Sequence, residues 1–74
     1  MMFLDELEPG AEAVISSFDT DKLPLKLIEM GCLPGNKIAL VHLAPFNDPL
    51  YIKIDESHLA IRQEIASQIE INLL

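Results

Sequence analysis

Three residues have side chains that commonly bind transition metals: Cys32, His42 and His58. A metal site usually needs three or more protein ligands held in a fixed geometry. These three fall in separate segments without a recognised ligand spacing. A free cysteine is often a small buried hydrophobe, so we interpret Cys32 as a packing residue. We therefore predict no metal site and no cofactor, although either histidine could bind metal weakly.

Catalytic chemistry also lacks a motif in this sequence. The acidic residues are spread along the chain without a paired-carboxylate pattern, and neither a phosphate-binding loop nor a nucleophile elbow occurs. No base lies near Cys32 in sequence, so a thiol nucleophile would lack its activating partner. We predict a protein that is not an enzyme, with no catalytic residues.

Composition and charge bound the remaining classes. The 74 residues suffice for one domain, spanning 1–74, and half of them are hydrophobic. A formal net charge of −7 would repel nucleic acid and anionic membrane surfaces, and would suit a basic partner. The N-terminus lacks signal-peptide features, and no run approaches the roughly 18 apolar residues of a membrane span. We expect a cytoplasmic protein that does not insert into a membrane.

Two Pro-Gly pairs mark the starts of strands. Pro9-Gly10 and Pro34-Gly35 have the chemistry of type II turns, in which proline fixes φ and glycine accepts a positive φ. An apolar stretch follows each turn. We therefore predict strands at Glu12–Phe18 and Lys37–Leu43, and we place His42 with Ile38 and Leu40 by strand parity, as a hydrogen-bonded residue at a barrel end.

A short helix is predicted between these strands. The polar segment Asp19-Thr20-Asp21 resembles a helix N-cap region, and Pro24 suits a first helical turn. The helix should run from Leu25 to Met30, with Gly31 as its C′ residue.

A hairpin should follow the second strand. The loop Ala44–Pro49 contains two prolines, and Asn47 is its residue that best tolerates a left-handed conformation. Alternation over Leu50–Ile54 then predicts a strand antiparallel to Lys37–Leu43.

The last third of the chain allows two readings. Leu59 to Ile71 could form one helix, which propensity slightly favours. It could also form a strand Ser57–Ile61, with His58 exposed, a helical turn at Gln63–Ala66 and a strand Ile69–Asn72. A long helix would leave open sheet edges, so we adopt the strand reading. The fold class is then mainly β: a small, SH3-like, partly open barrel of about five strands with one short helix after the first strand.

The helix is where we look for a partner surface. A short helix on a small barrel buries only one face, and Leu27, Ile28 and Met30 form an inward stripe. The apolar residues left over could form a patch with Leu33, and exposed apolar patches mark partner sites. The predicted partner-binding residues are Leu23, Leu25, Lys26, Met30 and Leu33.

Several short segments together form a recognisable pattern: Glu29-Met30-Gly31, Leu33-Pro34-Gly35, Ala44-Pro45, Asp48-Pro49 and Leu59-Ala60-Ile61-Arg62. In their order and spacing, over nearly the whole chain, they resemble the ferrous iron transport protein A family, FeoA. Two departures occur. Asn47 stands where the family usually has glycine, and the helix region carries Lys22 and Lys26 where the family usually has several arginines.

The resemblance implies an SH3-like barrel and a regulatory role beside a membrane ferrous iron transporter with a cytosolic GTPase domain, a FeoB-like protein. It implies bacterial iron uptake through protein–protein interaction, at the inner face of the plasma membrane through that partner. Two alternatives stay open at this point: a direct Fe²⁺ sensor or carrier, and an unrelated peptide-binding barrel.

Overall fold

A single antiparallel sheet dominates the computed structural model, which describes residues 2–74 apart from the side chain of Asn47. Its six strands lie in the spatial order β1-β6-β2-β3-β4-β5. The strands are β1 (Met2–Phe3), β2 (Glu12–Phe18), β3 (Lys37–Leu43), β4 (Leu50–Ile54), β5 (Ser57–Ile61) and β6 (Ile69–Leu73). Two short α-helices, α1 (Leu25–Glu29) and α2 (Gln63–Ala66), lie outside the sheet, and short 3-10 turns occur at Leu4–Glu6, Thr20–Lys22 and Pro45–Asn47.

Most predicted elements are confirmed with their bounds. The strands β2, β3, β4 and β5 begin and end where the sequence predicts, and so does the helical turn α2. The prediction of about five strands is one short, because Met2 and Phe3 pair with β6 as a sixth strand. The helix α1 ends at Glu29, with Met30 as its C-cap, so the predicted last residue is one too many.

The two Pro-Gly turns extend the pairing of β2 with β3 at opposite ends. Gly10 (φ +88) and Gly35 (φ +94) adopt the positive φ that a type II turn requires. The N–H of Gly10 donates to the carbonyl of Leu40 at 2.7 Å, and the N–H of Gly35 donates to the carbonyl of Ile15 at 2.8 Å. Each turn therefore adds hydrogen bonds to the strand pair and also aims the chain into its next strand.

A bulge in β3 overturns the prediction for His42. Leu40 lies opposite Ile52, but His42 lies opposite Tyr51, so Val41 is an extra residue in β3. Strand parity is lost there, and the exposed ring of His42 stacks on Tyr51 with centroids 5.8 Å apart. A bulge inserts one residue without changing the local pattern of residue types, which is why parity misplaced His42.

The core is formed by aliphatic side chains from the inner face of the sheet and from the segments that cross it. Among the described residues, no polar or charged side chain is buried. The fully buried large residues are Leu4, Ile15, Ile38, Leu40, Leu50, Ile52, Ile54, Ile69 and Ile71, together with Cys32. The packing role predicted for Cys32 is thus confirmed by its burial.

In the loop between β3 and β4, the described residue with positive φ is Phe46 (φ 66), whose side chain is 97% exposed. The prediction that Asn47 takes a left-handed conformation lies outside what the structure describes of that residue. Within residues 2–74, neither helix has the length and apolar character needed to cross a bilayer.

Candidate partner-binding surface

Local hydrogen bonds fix both ends of α1. Asp19 accepts from the N–H of Asp21 at 2.9 Å and caps the 3-10 turn that precedes the helix. At the start of α1 itself, Leu27 donates to Pro24 O at 3.0 Å. At the other end, Gly31 (φ +105) donates to Ile28 O at 3.1 Å, and Cys32 donates to Leu27 O at 3.0 Å. This pair of bonds is a Schellman motif, in which an apolar residue after the glycine packs back on the helix. Cys32 occupies that position, and both it and Leu27 belong to the core cluster.

The helix presents part of the predicted partner surface. Leu25 is 67% exposed and Leu33 is 43% exposed, Lys26 is exposed, and Met30 is partly buried. Leu23 is only 6% exposed, so the expectation that it is left over at the surface is wrong. The cause is its backbone: Leu23 is extended (φ −106, ψ 131), one residue before the Pro24 cap, so helical spacing does not govern its direction. We keep Leu25, Lys26, Met30 and Leu33 as the candidate surface, and call them the α1 patch.

A groove of about 530 Å³ lies between α1 and β5. One wall is formed by Pro24, Lys26, Leu27 and Met30, and the other by residues 58–62 with Ile65 of α2. Lys26 and Met30 therefore belong both to the α1 patch and to this groove. Its lining is mostly apolar, and its permanent charges are the cations Lys26 and Arg62; within the described chain, no carboxylate lines it. The sequence does not indicate this groove, because no local pattern shows that His58 and Arg62 face α1.

The loop after β3 positions the start of α2. The Oδ1 of Asp48 accepts from the N–H of Gln63 at 3.0 Å, which caps a helix whose own N-cap residue, Arg62, makes no side-chain cap. Asp48 and Pro49 also line a small cavity of about 280 Å³ with Ala60 and Arg62. The Asp-Pro and Leu-Ala-Ile-Arg segments, separate in sequence, thus meet beside the groove.

The potential metal ligands do not converge. Burial raises the pKa of the Cys32 thiol to about 11, so the thiol stays protonated at neutral pH. His42 lies on β3 and His58 on β5, with β4 between them. In the part of the chain that the structure describes, no three His, Cys, Asp or Glu residues are grouped so that they could hold a metal ion.

Comparison with known sequences finds a matching family model and related proteins. The family model described as "FeoA domain" matches residues 2–73. The chain is 36% identical over 74 residues to the "Fe(2+) transport protein A/Fe(2+) transporter FeoB fusion protein" of Porphyromonas gingivalis, covering 99% of the chain and 9% of that protein. It is 28% identical to the "Putative Fe(2+) transport protein A" of Campylobacter jejuni, covering 99% of the chain and 100% of that protein. The chain thus spans less than a tenth of the first relative's length.

Solved structures share the fold. The iron(II) transport protein A of Clostridium thermocellum superposes with a TM-score of 0.85 at 32% identity, covering 99% of this chain and 46% of that one. The zinc complex of Stenotrophomonas maltophilia FeoA, described as a procaryotic SH3 domain protein, gives 0.83 at 25% identity, covering 97% and 91%. The IdeR protein of T. acidophilum gives 0.84 at 24% identity, covering 99% and 34%, and shows the fold alone. The predicted mainly β, SH3-like class is confirmed.

Proposed function

This chain belongs to the FeoA domain family, and on that premise we propose that it is a non-catalytic accessory protein of ferrous iron uptake. It docks in the cytoplasm on the GTPase-containing part of a membrane Fe²⁺ transporter. One observation carries the proposal: a relative 36% identical to this chain is fused to an Fe²⁺ transporter in P. gingivalis. Fusion holds two modules at a high effective concentration, which favours contact between them.

The α1 patch supports docking through the helix. Leu25 is 67% exposed on a five-residue helix, and Leu33 is 43% exposed on the turn that follows it. Exposed apolar side chains at a small domain's surface gain most when a partner covers them. Docking regulates transport only if the chain binds one state of the transporter more tightly than another, since equal affinity shifts no population.

Matched surface variants test the docking surface. Leu25→Asp places a charge in the α1 patch, whereas Phe46→Asp does so at an exposed apolar residue between β3 and β4. We expect Leu25→Asp to weaken the affinity for the transporter's cytosolic part at least tenfold, and Phe46→Asp to leave it within about twofold. Equal effects of the two variants would refute the α1 patch as the docking surface.

The sequence also left two alternatives open: an unrelated peptide-binding barrel, and a direct Fe²⁺ sensor or carrier. A barrel unrelated to FeoA is excluded, because the family model matches residues 2–73, whereas peptide binding itself stays a hypothesis. A direct Fe²⁺ sensor or carrier remains a separate hypothesis with its own requirement: anaerobic titration should show stoichiometric Fe²⁺ binding that disappears when Cys32, His42 and His58 are all replaced.

A further inference from the structure

Among the described strands, β5 lies at an edge of the sheet, and some of its backbone groups face away from β4, the strand with which it pairs. A two-residue turn joins β4 to β5, so Ile54 and Ser57 form the hydrogen-bonded pair that closes the hairpin. Hydrogen-bonded pairs alternate along an antiparallel ladder, so Leu59 and Ile61 also point their N–H and C=O groups at β4. The corresponding groups of His58 and Ala60 then point outward.

A hydrogen bond on the other side of β4 independently gives the same alternation of backbone directions. Ala44 donates to Pro49 O at 3.2 Å, so Pro49 directs its carbonyl toward β3. Alternation then directs Leu50 and Ile52 toward β5 and Tyr51 toward β3, which matches the pairs Leu50–Ile61 and Ile52–Leu59. Among the described residues, β5 is the last strand of the sheet, and no further strand follows it.

The outward edge of β5 forms a wall of the groove opposite α1. His58 and Ala60 both line the groove and are both exposed. The facing wall supplies the apolar side chains of Leu27 and Met30. An extended segment laid along β5 would therefore gain main-chain hydrogen bonds on one side and apolar contact on the other, which are the two requirements of strand addition.

The charge of the groove is opposite to that of the chain. The protein carries 12 acidic and 5 basic residues, yet the permanent charges lining the groove are Lys26 and Arg62. Cations flanking an apolar groove favour a ligand with carboxylates at its ends or on its outer face. A second copy of this chain fits less well, because pairing β5 with its own copy would bring both sets of these cations together and both net charges of −7 into contact.

We propose that the outward edge of β5 at His58 and Ala60 accepts an extended, apolar, carboxylate-bearing segment of the partner protein, which lies in the groove as a seventh strand facing α1. This inference rests on the proposed function for the existence of a protein partner. It adds the binding mode and the chemistry of the segment that is bound.

Backbone-modified peptides test the binding mode. The probe is a capped eight-residue peptide that alternates valine with glutamate, titrated into the ¹⁵N-labelled chain. Lysine in place of glutamate gives the charge control. Two further peptides carry N-methyl groups on all valines or on all glutamates, because alternate residues of a strand direct their N–H groups to opposite edges.

Strand addition predicts an asymmetric result. The glutamate peptide should bind saturably, shift the amides of His58 and Ala60, and slow their hydrogen exchange. One N-methylated peptide should bind at least tenfold more weakly and the other should bind within about threefold, and the lysine peptide should bind at least fivefold more weakly. The proposal is overturned if the glutamate peptide does not bind, if both N-methylated peptides bind as tightly as their parent, or if lysine binds equally well.

Variants at Ala60 test the protein's side of the contact. Ala60→Pro removes an N–H that does not pair with β4, and proline is tolerated on edge strands. Ala60→Ser keeps the N–H and serves as the matched control. We expect proline to weaken peptide binding at least tenfold and serine to leave it within about twofold; unchanged binding by a folded Ala60→Pro chain overturns the proposal. If the proline variant does not fold, the two N-methylated peptides alone decide whether the segment binds by strand addition.

Two outcomes separate this inference from the proposed function. If the chain binds the transporter's cytosolic part, but the peptide tests and the Ala60→Pro test give the results that overturn the proposal, strand addition is wrong and docking is still supported. If the peptides bind as expected but the transporter does not bind, docking is wrong and strand addition in the groove is still supported. Concentration-dependent shifts of the His58 and Ala60 amides without peptide would assign the edge to a second copy and overturn the proposal.

Discussion

Gly31, at the end of α1, lies against Asp55 at the tip of the β4–β5 hairpin. A β-carbon added to Gly31 would lie 2.9 Å from Oδ2 of Asp55 and 3.2 Å from Cγ2 of Ile54. The carbonyl of Gly31 also accepts from Nδ2 of Asn36 at 2.7 Å. The helix end is therefore held against the hairpin from which β5 begins, which places α1 across the groove from β5.

Replacing Gly31 by alanine should destabilise the protein by about 2–3 kcal/mol, from backbone strain at φ +105 and from crowding of the buried Ile54 side chain. The exposed carboxylate of Asp55 can rotate away from the added methyl group. Gly35→Ala is the matched control, because Gly35 has φ +94 but no atom within 4 Å of an added β-carbon. It should cost about 1–2 kcal/mol. Urea unfolding of both variants measures the difference. If both variants lose the same free energy of unfolding, the contact with the hairpin contributes nothing, and backbone strain alone explains the effect of Gly31→Ala.

The buried thiol of Cys32 should make stability fall at high pH. Burial raises its pKa from 9.0 to about 11, so the folded chain keeps a proton that the unfolded chain loses between these values. The contribution is fully present below pH 9 and is lost as pH rises toward 11. Between pH 8 and pH 10 the free energy of unfolding should fall by about 1 kcal/mol more than it does in Cys32→Ala.

The Cys32→Ala variant corrects for every effect of pH on stability that does not come from the thiol. Urea midpoints of the two proteins at the two pH values give the comparison. If the free energy of unfolding changes equally in the two proteins, burial does not raise the pKa of the thiol, and the prediction is wrong.

Removing the carboxylate of Asp48 should loosen the start of α2. Asp48→Ala leaves the N–H of Gln63 without its acceptor and should cost about 0.5–2 kcal/mol, as loss of a helix cap does. Asp48→Asn keeps an acceptor oxygen and should recover most of that loss. Amide hydrogen exchange at Ala66, which donates to Arg62 O, should rise in the alanine variant. If asparagine is as damaging as alanine, the charge and not the hydrogen bond holds α2.

The sequence predicts the elements well where turn chemistry marks their ends. Pro-Gly pairs precede β2 and β3, and Gly31 follows the helix, so each boundary has a local physical cause. The strand reading of the last third is confirmed, but the edge argument that favoured it holds only for β6, which pairs with β1 and β2. Among the described strands, β5 itself lies at an open edge. Met2–Phe3 escaped prediction because a two-residue strand exists only through its pairing with β6.

Positions that depend on contacts distant in sequence could not be predicted. The bulge at Val41 turned His42 outward, and the extended backbone of Leu23 turned its side chain into the core. The groove depends on the separation of α1 from β5, segments that lie far apart in the chain, and on the open edge at Ala60. None of these features has a local sequence pattern.

The most direct test of docking is a chemical-shift titration of the ¹⁵N-labelled chain with the cytosolic GTPase-containing part of its Fe²⁺ transporter, in each nucleotide state. Docking predicts saturable shifts centred on Leu25, Lys26, Met30 and Leu33, with an affinity that differs between nucleotide states. The absence of shifts in every state, repeated with the full transporter, would contradict docking. Saturable shifts confined to residues far from α1 would support docking on the transporter but would contradict the α1 patch as the docking surface.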